Sequence, residues 1–283
     1  MHRHVIEATW LNLAIPAILH GCEMIPFSEA NIVEIERIQS QVAKYALGIP
    51  ISSSNFSAQT ELGFKSFRHQ LYDRQLKYYF RVLYLPRTRW VHQALLEHLS
   101  GNWESPYVRY ISSLRTSIGI VKAPTNPRRV KTMIYEHFLS VVNSAISHIA
   151  WMEPLTSFSR QWYVSEHGYS PVITGFRIGC EGLGNKQPRS GRERKPLCPV
   201  CPQVADNTGF HLLFACTSIS RKRAETGITS FITSCSLKGF SMQETYALFI
   251  NCFDYSKKRL SYADYIERGK CMNDMKQEWL QRW

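Results

Sequence analysis

The stretch Ser28–Pro50, SEANIVEIERIQSQVAKYALGIP, places Ile32, Ile35, Ile38, Val42 and Tyr45 three or four positions apart. That interval is one face of an α-helix and does not suit a strand, whose side chains alternate every second residue. Ser28 suits the N-cap with Glu29 in the first turn, and Gly48 and Pro50 stop the pattern. Glu34, Glu36, Arg37, Gln39 and Lys44 lie largely off the apolar stripe and predict a solvated face.

The same period recurs on both sides. Upstream, Val5–Cys22 carries Ile6, Trp10, Leu13, Ala14 and Ala17 on one stripe, bent or broken at Pro16. Downstream, Ser57–Leu62 reads as a short helix closed by Gly63, and Phe67–Leu85 as a long one with Phe67, Leu71, Tyr78, Val82 and Leu85 inward. Further helices are expected after Trp90, after Ser105-Pro106 through Tyr107, Ile111, Leu114 and Ile118, and after Asn126-Pro127 through Val130, Ile134, Phe138, Val141, Ala145 and Ile149. Glu153-Pro154 marks a break before another helical stretch, Phe158–Ser165. Near the C-terminus Ile219–Thr226 reads as a basic helix. Ser241 and Glu244 form a capping box before Tyr246, Ala247, Ile250 and Phe253, and Ser261–Asp264 opens the last helix. The fold class is therefore mainly α, without an internal repeat.

From Ser170 the composition changes to a loop. Seven Gly and Pro residues fall between Gly175 and Pro196, and Lys186, Arg189, Arg192, Arg194 and Lys195 oppose the single carboxylate of Glu193. Four residues follow at the spacing C-x2-C-x9-H-x4-C: Cys198, Cys201, His211 and Cys216. Three thiolates and an imidazole make the soft tetrahedral shell that structural zinc prefers, and four protein ligands leave no position for a catalytic water. Pro199, Pro202, Asp206, Asn207 and Gly209 suit a tight loop, and Leu212–Phe214 suit one helical turn between the last two ligands. A redox pair at Cys198-Pro-Val-Cys201 would need a preceding βαβ pattern, which the sequence lacks. The pattern implies one structural Zn2+. The expected organisation is a helical domain over 1–150, a connecting helix with a basic Gly/Pro-rich arm over 151–196, a zinc knuckle over 197–220 and a helical segment over 221–283.

The chain has 283 residues, 44% of them apolar, and 34 Lys and Arg against 22 Asp and Glu, for a net charge of +12. The apolar share supports a packed core, and the charge favours a polyanionic partner. A row of Arg74, Lys77 and Arg81 at i, i+3 and i+7 lies beside Tyr79 and Phe80, which suits a phosphate backbone with rings for stacking or, more plainly, a solvated helix face. The longest apolar run, Trp10–Leu19, is too short to span a bilayer, holds Asn12 and Pro16, and is preceded by Glu7 without a cleavage site. The expectation is an intracellular protein, nuclear or cytoplasmic and not secreted, without a membrane partner, in which Cys22, Cys180, Cys235, Cys252 and Cys271 stay free thiols.

Three ordered landmarks carry a resemblance: Ala14–Glu23 (AIPAILHGCE), then Ile35–Gln39 (IERIQ) running to Leu47–Pro50 (LGIP), then Thr174–Gly179 (TGFRIG) leading to the knuckle and His211–Cys216 (HLLFAC). Together they resemble the region downstream of the polymerase core in LINE-type, non-LTR retrotransposon reverse transcriptases. The resemblance implies a thumb-like helical domain, a zinc-binding C-terminal segment, and RNA and/or DNA as partner. The gap between Cys201 and His211 is longer than the family's usual one. Absent too is the aromatic-x-Asp-Asp hairpin that holds two catalytic metals: Tyr262-Ala-Asp264-Tyr has one carboxylate and follows the knuckle. The palm and fingers would lie upstream of Met1. Asp254, Asp264, Glu267 and Lys270 lack the spacing of the endonuclease that some relatives carry, and no strand-rich stretch suits a ribonuclease H. The expectation is a non-enzymatic nucleic-acid-binding fragment with no small-molecule substrate and an undetermined oligomeric state. The alternative is a domesticated all-α scaffold in which zinc closes a protein-interaction module.

Overall fold

The computed structural model describes residues 3–100, 105–120, 127–147, 170–178, 209–254 and 256–282, with residues 155, 157, 158, 160, 161, 198, 200 and 201 between them. Among these residues the chain is mainly helical and forms no strand; one isolated bridge pairs Phe253 with Arg259. In order, the helices are α1 (Arg3–Thr9), α2 (Ile15–Ile18), α3 (Glu29–Leu47), α4 (Asn55–Leu62), α5 (Phe67–Leu83), α6 (Trp90–Ser100), α7 (Pro106–Ser117), α8 (Pro127–Ile146), α9 (Pro171–Arg177), α10 (Ser220–Glu225), α11 (Ile228–Leu237), α12 (Met242–Ile250) and α13 (Tyr262–Arg282). Two wide π turns, Trp10–Ala14 and His211–Ala215, interrupt the α geometry.

The chain divides into two compact units. The first comprises residues 1–46, 63–145 and 155–159, and the second 47–62, 146–154 and 160–283. Residues 47–62, with α4, group with the second unit, as do the knuckle ligands and the C-terminal helices.

In the first unit the expected bend at Pro16 takes a definite form. Proline has no N–H and its ring presses on the carbonyl four residues back, so the turn Trp10–Ala14 widens to a π turn before α2 begins. The face of α3 is rotated from the expected stripe: Ile32, Gln39, Ala43, Ala46 and Leu47 are buried, while Ile38 and Tyr45 are 37% and 63% exposed. Gln39 and Lys44, expected in solvent, are inside. Gln39 is held by the Trp10 indole N–H at 3.4 Å and donates to the Lys65 carbonyl at 2.9 Å, so its amide is satisfied without water.

Helix α5 is the spine of this unit, capped by Ser66, whose hydroxyl accepts the His69 N–H. Phe67, Leu71, Leu76, Phe80 and Val82 are buried along it, each worth about 1.5–3 kcal/mol relative to exposure. Gln75 donates to the carbonyls of Cys22 and Ile25, both at 3.0 Å, and accepts from the Tyr110 hydroxyl at 2.9 Å, which ties the segment after α2 and the helix α7 to α5. His69 stacks on Phe138 of α8 at 4.8 Å and meets the edges of Tyr135 and Phe158. Phe158 lies in a bend and residues 160 and 161 are not helical, which overturns the helix expected to start there; residues 162–165 lie outside the described residues. On α8 the inward row is Val130, Ile134, Phe138, Val142 and Ile146, so the register expected for Val141 slips by one, and Ile149 lies outside the described residues.

In the second unit, α9 corrects the loop expected from Ser170 onward. Ser170 caps the Ile173 N–H, Pro171 occupies the first position, and Ile173, Thr174, Phe176 and Arg177 are buried. Helix α11 was not legible either. Its sequence ITSFITSCSL is rich in residues that disfavour helix interiors, and Thr233 and Ser234 turn their hydroxyls back to the carbonyls of Thr229 and Ser230. Gly227 at φ 75° breaks it from α10, a left-handed conformation that a side chain would strain. The capping box at Ser241 and Glu244 is present as expected. Rings of Phe210, Phe214, Phe231, Tyr246 and Phe249 pack at 5.3–5.9 Å, edge to face apart from the tilted pair of Phe210 and Phe214, and seat the π turn on α12.

Candidate metal centre

Cys198, Cys201, His211 and Cys216 come together in the second unit, all four buried, with their ligand atoms within 4.8 Å of one another. The Cys201 Sγ lies 3.4 Å from His211 Nε2. A tetrahedral zinc ion with Zn–S bonds of about 2.3 Å sets sulfurs about 3.8 Å apart, so the set needs to close by roughly 1 Å at its widest. Among the described residues this is the one group of three or more Cys, His, Asp or Glu side chains able to hold a metal ion.

Local geometry explains the H-x4-C spacing. The turn His211–Ala215 is a π turn, closed by the Cys216 N–H on the His211 carbonyl at 2.6 Å. An α turn would rotate a residue five positions on to another face; the wider turn brings Cys216 back beside the imidazole. Leu212, Leu213 and Phe214 between the ligands are buried, so the apolar core holds the turn that aims the metal site. The expected single helical turn is therefore present, with a wider pitch.

The surroundings treat Cys198 and Cys216 in opposite ways. Burial pushes the Cys198 thiol up, but the Trp279 indole N–H at 3.5 Å and hydrogen bonds from the backbone at Val200 and Cys201 outweigh it and hold the thiol below its usual value. Burial raises Cys216 to about 11, opposed by a backbone hydrogen bond at Ser218, while the thiols of Cys198 and Cys201 add to the rise. Three thiols crowded together resist shared ionisation, and a divalent cation is what relieves that repulsion. Arg223 brings a second cation close: its guanidinium donates to the carbonyls of Leu213 and Cys216, both at 2.7 Å. Ser218 donates to the Val200 carbonyl at 2.8 Å and Arg282 to the Ser218 carbonyl at 2.8 Å, fastening the knuckle to the end of α13. Such outer partners orient metal ligands and tune their affinity.

Sequence reasoning missed Trp279 and Arg223 as parts of this site. Tyr265, Met272, Met275 and Trp279 form a buried row along α13, which spacing alone could have found; the partner of that row could not be read from it.

The other site residues fare differently. Arg74 donates to the Leu19 carbonyl at 3.2 Å and lies 3.9 Å from Glu23, and Lys77 pairs with Asp73 at 2.5 Å. Arg81 is exposed and has no side-chain partner among the described residues. Tyr79 and Phe80 are 4% and 1% exposed and sit under Arg115, so the rings expected to stack on bases belong to the core instead. The arm cations Lys186, Arg189, Arg192, Arg194 and Lys195 lie outside the described residues. Asp254 accepts the backbone N–H groups of Ser256 and Lys258, and Asp264 accepts the Ser261 hydroxyl at a helix start, so both serve local turns. Among the described residues no helix is long and apolar enough to cross a membrane.

No family model, curated protein or solved structure matches the chain.

Proposed function

We propose that the chain is a non-catalytic nucleic-acid-binding module whose second unit is held together by one structural zinc ion. The buried four-ligand cluster carries the reading: four protein ligands fill a tetrahedral shell, so the ion stabilises a surface and has no open position for substrate. The net charge of +12 supports a polyanionic partner, as does the resemblance of the three sequence landmarks to the thumb and zinc segment of LINE-type reverse transcriptases. In such a protein these parts would grip template and product while a separate polymerase core did the chemistry.

The test is binding of single-stranded RNA and DNA across a salt series, with zinc content measured on the same preparation. The affinity should fall linearly on a logarithmic salt scale, with a slope of about −0.7 for each phosphate neutralised. Neutralising Lys186, Arg189, Arg192, Arg194 and Lys195 together should flatten that slope. Binding that ignores salt, or no binding at all beside a defined protein partner, would replace this reading with that of a zinc-closed interaction scaffold.

A further inference from the structure

In the first unit the helices α5, α6 and α7 and the segment after α2 line an open cleft of about 500 Å3. Its walls are apolar and ring-rich, with Pro26, Tyr78, Trp90, Pro106 and Tyr107 among them and, among the described residues, no carboxylate. That volume is in the range of pockets that take organic ligands. Trp90 is 77% exposed at this cleft and contacts no other ring among the described residues, an expensive way to leave the largest apolar side chain.

Charge says what covers it. Trp90 opens α6 directly after the turn Pro86–Arg89, closed by the Arg89 N–H on the Pro86 carbonyl at 2.9 Å. Arg87 and Arg89 on that turn are exposed, and Arg81 stands one helical turn beyond the wall residue Tyr78; none of the three has a side-chain partner among the described residues. Among the described residues, Glu23 lies 3.9 Å from Arg74 and Glu97 is one exposed acid against these three arginines. An apolar helix would fill the cleft but leave unanswered three exposed arginines that stand within a few positions of its wall residues in the chain.

The geometry points to a base-binding pocket for single-stranded nucleic acid, in which an unstacked base lies against Trp90 at the cleft and the adjoining phosphates meet Arg81, Arg87 and Arg89. Rings that stack bases beside cations that track the backbone are how strands are held without sequence preference. This rests on the nucleic-acid reading above and gives it a place on the chain.

The experiment uses the full chain, a fluorescein-labelled oligouridylate and the apolar dye ANS. Trp90→Ala should weaken oligonucleotide binding about five- to a hundredfold, the usual effect of losing one stacking platform. Trp90→Phe should restore most of it, and the pair Arg87→Ala, Arg89→Ala should lower the salt slope by roughly 1.4. Helical circular dichroism and zinc content should not change in any of them, and the oligonucleotide should displace ANS. Wild-type binding that is indifferent to all three variants overturns the pocket and leaves the nucleic-acid reading standing. ANS and oligonucleotide bound together overturn it too, since the cleft then takes an apolar partner. A wild type that binds no oligonucleotide at low salt overturns both readings.

Discussion

The two units solve the same problem, holding short helices together, by different chemistry. The first packs side chains that water rejects, Phe67, Leu71, Leu76 and Phe80, along α5, with polar groups such as Gln39, Gln75 and His69 set singly among them. The second buries polar and ionisable groups, the Cys3His cluster and the ion pair of Glu61 and Arg177 at 2.5 Å, with side chains 0% and 7% exposed. A core of the first kind is tolerant, because apolar contacts do not depend on one partner. One of the second kind has single points of failure, because each partner is there to satisfy another.

Removing the metal should separate the units most sharply. Structural zinc contributes apparent binding energies of about 10–16 kcal/mol in small metal-dependent domains, so chelation, or Cys198→Ser with Cys201→Ser, should abolish amide-exchange protection around the π turn, α10 and the end of α13. Protection in α5 and α8 should persist. Hydrogen exchange read peptide by peptide checks this, and equal loss in both units would break the contrast.

The ion pair comes next. Glu61→Leu or Arg177→Met alone leaves a buried charge without its partner and should cost about 3–5 kcal/mol in denaturant unfolding. The double substitution should recover most of that loss. Single changes costing less than about 1 kcal/mol would mean that water reaches the pair and that the second unit is not organised around it.

A smaller effect belongs to the first unit. Burial, with Lys65 nearby, lowers the His69 pKa to about 4, although Asp73 opposes it, and its Nδ1 has no hydrogen-bond partner among the described residues. The folded protein thus prefers the neutral ring, whose usual pKa is about 6.5. As pH falls through that value the unfolded chain takes up the proton first, so stability is present above about pH 6.5 and drains away down to about pH 4, by at most about 3 kcal/mol. Below that the folded state is protonated as well and the loss levels off. Equilibrium unfolding at several pH values should show this slope, and His69→Phe should remove it.

Much of this contrast was legible in the sequence, but unevenly. Helix class followed from periods such as Phe67, Leu71 and Val82, and the metal ligands from spacing within residues 198–216, because both signals are local. What escaped was set by distant partners. Glu61 and Arg177 are 116 positions apart, and nothing near either residue announces the other. Gln39 looks like a surface residue until Trp10 and the Lys65 carbonyl supply a polar lining for its amide. Helix α11 runs against its own propensity and is held by Phe231 on Phe249 and under Arg268, contacts that no window of sequence contains. The same rule explains Trp279: spacing along α13 could have marked it as buried, but not as a donor to Cys198.

The central claim is that the second unit is built on a closed zinc shell, and X-ray absorption at the zinc edge on the purified chain tests it most directly. The account predicts one zinc per chain with three sulfurs at about 2.3 Å and one nitrogen at about 2.0–2.1 Å, and no water in the shell. A fully helical protein without zinc, or zinc bound mainly to oxygen, would contradict it.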